Sequence, residues 1–122
     1  MGVIRKRLWV LGRKGRMRLE VLFDTGSTLS LIRESLADRI GVRDEWPEPK
    51  RCYAAVGTFL AREFIAADIR IRTYRPFAIL SLVRDLSEEM ILGSDFLQRW
   101  HIKFDPFRRR LLVDPEEFIM RV

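Results

Sequence analysis

A single cysteine, Cys52, and a single histidine, His101, occur in this chain of 122 residues. One thiol cannot close a disulfide within the chain, and no cysteine-based metal site can form around it. No local motif supports a catalytic Cys–His pair, so Cys52 reads as a free buried thiol and His101 as a half-exposed imidazole. Long apolar runs are also missing. The longest candidate, Phe77 to Val83, is strand-sized and is interrupted by Ser81, far short of a membrane span. The basic start of the chain, Met1 to Arg18, carries only a short apolar patch, Leu8-Trp9-Val10-Leu11, too small for a signal-peptide core. There are no repeats and no low-complexity segments. These absences point to a cytoplasmic protein with no membrane contact, no cofactor and no metal.

What is present argues for a folded globule. Hydrophobic residues make up 48% of the chain, with eight Phe, three Trp and two Tyr, which excludes compositional disorder. The length suits one domain, residues 1–122, and is too short for two. The net charge is +6, with a pI near 10.2 and mostly arginine cations. Arg7, Arg13, Arg16 and Arg18 cluster near one end of the chain and Arg108 to Arg110 near the other. Elsewhere cations alternate with acids, as in Arg33-Glu34, Asp38-Arg39 and Arg62-Glu63, and no aromatic-interleaved recognition motif stands out. The expectation is a solvated, ion-paired surface, with nucleic acid an unlikely partner.

Periodicity of two dominates. Met17, Leu19, Val21 and Phe23 fall on one face of residues 16–23, opposite Arg16, Arg18 and Glu20, and residues 3–11 can pair with them across Gly12-Arg13-Lys14-Gly15. Leu29 to Ile32 reads as a short strand, and Arg33 to Ile40 as a helix of about two turns stopped by Gly41. Trp46-Pro47-Glu48-Pro49 reads as a connector without regular pairing. Residues 51–72 are extended, with a hairpin tip suggested by Gly57-Thr58. Thr73 to Pro76 is a turn, followed by strands at Phe77 to Val83 and Met90 to Leu92. Ser94 or Asp95 is expected to cap a helix over Phe96 to Trp100. A last hairpin joins Ile102–Phe104 to Leu111–Val113, and Asp114-Pro115 starts one more helical turn. Short strands at even spacing with one or two small helices predict a mainly β fold, a closed or nearly closed barrel.

The chemistry concentrates in Asp24-Thr25-Gly26-Ser27, which follows the apolar run Val21-Leu22-Phe23 and occurs once. An acid at the exit of a buried strand, followed by glycine, is a carboxylate held under tight control. Water-activated peptide hydrolysis needs two carboxyl groups sharing a proton, so a chain with one copy supplies the second only by pairing with itself. A second strand–glycine–helix unit, Ile91-Leu92-Gly93-Ser94-Asp95-Phe96-Leu97, follows about seventy residues later.

Phe-Asp-Thr-Gly-Ser-Thr followed by Ile-Leu-Gly-Ser-Asp-Phe-Leu resembles the retroviral-type (retropepsin-like) aspartic proteases, in particular small stand-alone microbial members, over nearly the whole chain. The resemblance implies a closed barrel that forms a two-fold homodimer, with one Asp24 from each chain meeting at the axis. It implies that Thr25 bonds across the axis, that Gly26 offers its carbonyl to the substrate backbone, and that the hairpin around Val56, Gly57 and Thr58 is a flap over bound peptide. Ser27 is placed to donate to the Asp24 carboxylate, which would favour an acidic activity optimum. Viral relatives carry an acid where Thr28 lies and an arginine where Ser94 lies. A Thr28–Ser94 or Ser27–Asp95 hydrogen bond is the expected substitute, and the tail after Pro115 is an imperfect strand for a shared terminal sheet. The function expected is an aspartic endopeptidase acting on a peptide or protein substrate. The alternative is a catalytically silent dimeric β-barrel that binds peptide or protein. An Arg-rich nucleic-acid-binding barrel and a phosphotransfer aspartate fit less well, the latter because companion metal-binding acids and a phosphate loop are missing.

Overall fold

The chain opens with a long antiparallel hairpin, β1 (Val3–Leu11) and β2 (Arg16–Asp24), paired without interruption from Leu11↔Arg16 to Val3↔Asp24. The computed structural model describes residues 3–105 and 107–113. The helical turn expected at Asp114-Pro115, and the tail beyond it, lie outside the described residues. The alternation in β2 behaves as its sequence demands: Leu19, Val21 and Phe23 are buried while Arg16 and Arg18 face solvent. The turn between the strands is docked, since Lys14 donates its N–H to the Ile40 carbonyl at 2.9 Å.

Seven further strands and two helices follow. They are β3 (Leu31–Arg33), α1 (Glu34–Ala37), β4 (Asp44–Ala54), β5 (Gly57–Ile69), β6 (Phe77–Val83), β7 (Met90–Leu92), α2 (Ser94–Arg99), β8 (Lys103–Asp105) and β9 (Arg110–Leu112). The main sheet runs β1-β2-β7-β3-β6-β5-β4, and β8 pairs only with β9. The expected barrel closes unevenly. β1 returns to β5 through only two residue pairs, Val10↔Ile69 and Leu11↔Asp68, because the chain leaves β5 at Arg70 for a small bridge between Ile71 and Tyr74. β4 stands outside the ring as the terminal strand of the β4–β5 hairpin.

Three local expectations are corrected. The first helix covers four residues rather than eight, since the chain turns at residues 38–40 to bury Ile40. The first strand after the acid loop is Leu31–Arg33 rather than Leu29–Ile32. Trp46 to Pro49 does not break β4: pairing jumps from Glu45↔Glu63 to Lys50↔Ala61 across an irregularity, which an edge strand tolerates because the prolines need no ladder donor there.

The sheet order matters most where β7 lies between β2 and β3. β2 and β7 run parallel, with Phe23 beside Leu92, so the residues that follow each strand, Asp24 and Gly93, emerge side by side. The main core lies within the curved sheet and includes Leu19, Val21, Phe23, Ile32, Ile65, Ile69, Leu80 and Met90. A second apolar cluster, Leu22, Leu31, Cys52, Val83, Leu86 and Ile91, packs separately from it, with Leu29, Ala54 and Phe59 against it. No helix among the described residues is long and apolar enough to cross a membrane.

Candidate active site

Asp24 is the last residue of β2 and is fully buried. A buried carboxylate needs partners for its oxygens, and both find backbone amides. Gly26 donates its N–H to Oδ1 at 2.8 Å, and Ala55, at the tip of the β4–β5 hairpin, donates to Oδ2 at 3.1 Å. Ser27 N–H donates to the Asp24 carbonyl at 3.1 Å, tightening the turn that follows the acid. Thr25 and Gly26, by contrast, are exposed on its rim.

Ser27 does not reach Asp24, so its expected role is corrected. Its buried hydroxyl donates to the Leu29 carbonyl at 2.7 Å and lies 3.6 Å from Cys52 Sγ. With both Asp24 oxygens on backbone amides, the Ser27 side chain turns under the loop and braces it instead. Cys52 is a free buried thiol, as its sequence context suggests. Neither substitute expected for the viral ion pair forms between side chains. Thr28 binds the hairpin: its N–H donates to the Tyr53 carbonyl at 2.9 Å, and its Oγ1 accepts from Tyr53 N–H at 3.2 Å. Ser94 instead donates its backbone N–H to the Ser27 carbonyl at 2.7 Å.

Asp95 is not a helix cap in the expected sense. Gly93 occupies the N-cap position of α2, without a capping side chain. The Asp95 carboxylate accepts from Ser30 Oγ at 2.7 Å and Ser30 N–H at 3.1 Å, and Ser30 Oγ in turn accepts from Gly93 N–H at 3.0 Å. The loop after Asp24 and the loop after β7 are therefore cross-braced by four hydrogen bonds within a few residues. Ser30 and Ala55 are the site residues that sequence reasoning missed. A small polar residue inside the apolar run Leu29-Ser30-Leu31-Ile32 is a signal for Ser30; a backbone donor such as Ala55 leaves none.

The hairpin over the site turns in two residues, Ala55 and Val56, between the pair Ala54↔Gly57. Gly57, at φ +147°, takes a backbone conformation that side-chain-bearing residues rarely adopt. Val56, Gly57 and Thr58 are all exposed; Val56 lies in the turn with Ala55, whereas Gly57 and Thr58 begin β5, paired with Ala54 and Tyr53. On the other flank a cavity of about 610 Å³ is lined by Thr25, Ser94, Leu97, His101, Ile102 and Leu112. Among the described residues, no three His, Cys, Asp or Glu side chains come together as metal ligands.

Comparison with known proteins gives a consistent result. A family model described as aspartyl protease matches residues 10–96, a span that contains both Asp24 and Gly93. No curated protein gives a significant match. Among solved structures, the chain is similar to the retroviral protease-like domain of Ddi1 from Leishmania major, with a TM-score of 0.64 and 16% identity. That match covers 93% of this chain and 89% of the other. At this identity the likeness is one of fold: mainly β and retropepsin-like.

Proposed function

The chain belongs to the aspartyl protease family, and from that premise we propose that it is an aspartic endopeptidase whose working unit is a two-fold homodimer. The observation that carries this reading is the setting of Asp24, a fully buried acid at a strand end beside a glycine-loop partner, with Thr25 and Gly26 exposed next to it. One chain contributes one such acid. Two chains related by a two-fold axis through this corner contribute a dyad, and two carboxyl groups at contact distance share one proton.

In the dyad, the ionised member takes a proton from a bound water while the neutral member hydrogen-bonds the scissile carbonyl. The tetrahedral intermediate collapses with proton return to the leaving amine, and no covalent enzyme intermediate forms. Thr25, which with α2 and Leu112 lines a cavity in the single chain, is the residue assigned to bond across the two-fold. Val56, Gly57 and Thr58 form a flap over extended peptide, and Gly26 offers its carbonyl to the peptide backbone. The Ala55–Asp24 contact occupies a carboxylate oxygen, so the hairpin tip lifts before water and peptide reach the acid.

The same contact favours a second reading, a catalytically silent dimeric barrel that binds peptide or protein, because a capped carboxylate is not available for chemistry. Peptide-library digestion at acid pH, comparing wild type with Asp24→Asn across protein concentration, separates the two. The endopeptidase reading requires cleavage by wild type that disappears in Asp24→Asn, with specific activity rising as subunits associate. Equal cleavage by both proteins, or full activity in a species that sediments as a single subunit, overturns it.

A further inference from the structure

The arginines of this chain divide into two populations. Arg43 is held by Asp38 at 2.8 Å, Glu63 at 3.0 Å and Glu34 at 3.4 Å; Arg75 pairs with Asp68 at 3.1 Å, and Arg5 with Glu88 and Glu20. Arg7, Arg16, Arg18 and Arg70 are exposed and have no ion pair among the described residues, as is also true of Arg13, Arg39, Arg51, Arg62 and Arg72, but these four lie together. They are not scattered. In the β1–β2 register Arg7 faces Glu20, Trp9 faces Arg18 and Leu11 faces Arg16, so these side chains share one face. Arg70 extends the row, since its N–H donates to the Trp9 carbonyl at 2.9 Å where β5 meets β1. Trp9 is 39% exposed between Arg18 and Arg70, with the Arg16 guanidinium 5.3 Å from its ring centroid.

The two acids nearest this face do not offset the charge. Glu20 is turned to Arg5 at 3.6 Å, and Asp68 to Arg75 at 3.1 Å. The ion-paired surface expected from sequence alternation holds around Arg43 and is incomplete on this sheet face. Like charges on adjacent strands repel one another, and an external polyanion relieves that repulsion.

We propose that this face of β1, β2 and β5 binds single-stranded nucleic acid. The guanidinium groups meet successive phosphates, and the Trp9–Arg16 pair forms a planar platform on which an unpaired base stacks. An exposed indole on this sheet face favours an unpaired base over a duplex, whose base faces are buried in the stack. It favours nucleic acid over an anionic membrane because the neighbours of Trp9 on this face, Arg16, Arg18 and Arg70, are cations. The proposal is independent of the protease reading.

Fluorescence anisotropy with a labelled oligouridylate of about 12 nucleotides tests it in the wild-type chain. Binding is expected at about 50 mM NaCl, with log K falling against log salt at a slope near −3, the value for about four neutralised phosphates on a single strand. Trp9→Ala is expected to weaken binding roughly tenfold. Arg16→Gln with Arg18→Gln lowers the magnitude of the slope by about 1.4. Arg84→Glu, a control at an exposed cation outside this face, weakens binding less than Arg18→Glu does. The proposal is overturned if no binding is seen at low salt, or if Arg84→Glu and Arg18→Glu weaken it equally. It also fails if phosphatidylserine vesicles bind while the oligonucleotide does not. Circular dichroism confirms that each surface variant is folded, so a loss of binding reads on the face itself.

Discussion

Replacing Gly93 with alanine tests whether the two loops at the candidate site are as tightly interlocked as their hydrogen bonds imply. A Cβ at this position would stand 2.5 Å from the Ser27 carbonyl oxygen, 2.6 Å from the Leu29 carbonyl oxygen and 3.0 Å from the Leu29 carbonyl carbon. Each distance to oxygen is about 1 Å short of ordinary contact. All three atoms are backbone, and both carbonyls are fixed: Ser27 by the Ser94 N–H at 2.7 Å, Leu29 by the Ser27 hydroxyl at 2.7 Å. Backbone conformation is not the obstacle, because Gly93 sits at φ −98° and ψ −168°, an extended geometry open to alanine. The methyl group must therefore push β7 and α2 away from the Asp24 loop. Overpacking against rigid neighbours costs about 1–3 kcal/mol, and each hydrogen bond lost at the seam adds about 1 kcal/mol. The reduced freedom of the unfolded chain returns roughly 0.5 kcal/mol. The net is roughly 3 kcal/mol, a fall in Tm on the order of 10 °C for a domain of this size. Gly41→Ala is the internal comparison. Its Cβ would meet Ile65 Cβ at 3.1 Å, Ile65 Cδ1 at 3.3 Å and the Ala66 carbonyl at 3.4 Å, contacts that a side chain relieves by a small shift. Thermal unfolding followed by circular dichroism reads both variants. A Gly93→Ala protein that melts within about 2 °C of wild type, or no lower than Gly41→Ala, refutes the reasoning.

Ala55→Pro removes the N–H that caps Asp24 Oδ2 while keeping the carbon framework of the tip. The hairpin should open more often, so the Cys52 thiol, fully buried on β4, should react with a disulfide reagent several-fold faster than in wild type; equal rates would mean that this contact does not hold the tip down. Arg43→Gln tests the surface ion-pair cluster. The hydrogen bond from Arg43 holds the Asp38 carboxyl below its usual range, against a weaker opposing effect of burial. A lowered folded-state value stabilises the protein above the unfolded pKa, near 3.9, and that stability is lost as pH falls through the folded value. The Asp38 side chain is 54% exposed, so the loss in Arg43→Gln should stay under about 1 kcal/mol at neutral pH and vanish once pH falls below the folded-state value. Urea unfolding of the two proteins at neutral and strongly acid pH checks both the size and the direction.

The strands were legible where their pattern is local. Phe77–Val83 and Met90–Leu92 coincide with their sequence boundaries, and the β1–β2 register follows from alternation plus a glycine-flanked turn. Contacts between distant loops were not legible. Asp95 has the look of a cap because its own helix begins beside it, yet its partner is Ser30, sixty-five residues earlier. Ser27 looked like a donor to Asp24 because it is three residues away, but the amide that takes that oxygen belongs to Ala55, which no side-chain pattern announces. The helix at Glu34 was overread for a related reason. Leu36 and Ile40 have helical spacing, but the Ile40 carbonyl serves Lys14 in the β1–β2 turn, and the chain bends to present it. Period-two and period-3.6 patterns report which face of an element is buried, whereas the partners of single polar groups depend on which loops the sheet order brings together.

The sheet order also explains why one acid can be buried in a single subunit without being stranded. A carboxylate with no partner in an apolar corner would cost several kcal/mol, enough to threaten a fold of this size. Running β2 parallel to β7 brings the second glycine loop against the first, and the resulting seam fixes the chain from Asp24 to Ser30 so that the Gly26 amide points back at Oδ1. The remaining oxygen is met by the tip of the β4–β5 hairpin, which Thr28, Cys52 and Ser27 tie to the loop below. One donor is thus built into the seam, and the other is carried by the tip of the β4–β5 hairpin. A site designed only for stability would have placed both in the seam. Dividing them satisfies both oxygens with the hairpin closed, and in the proposed endopeptidase an opened hairpin would free the one oxygen that peptide and attacking water must reach.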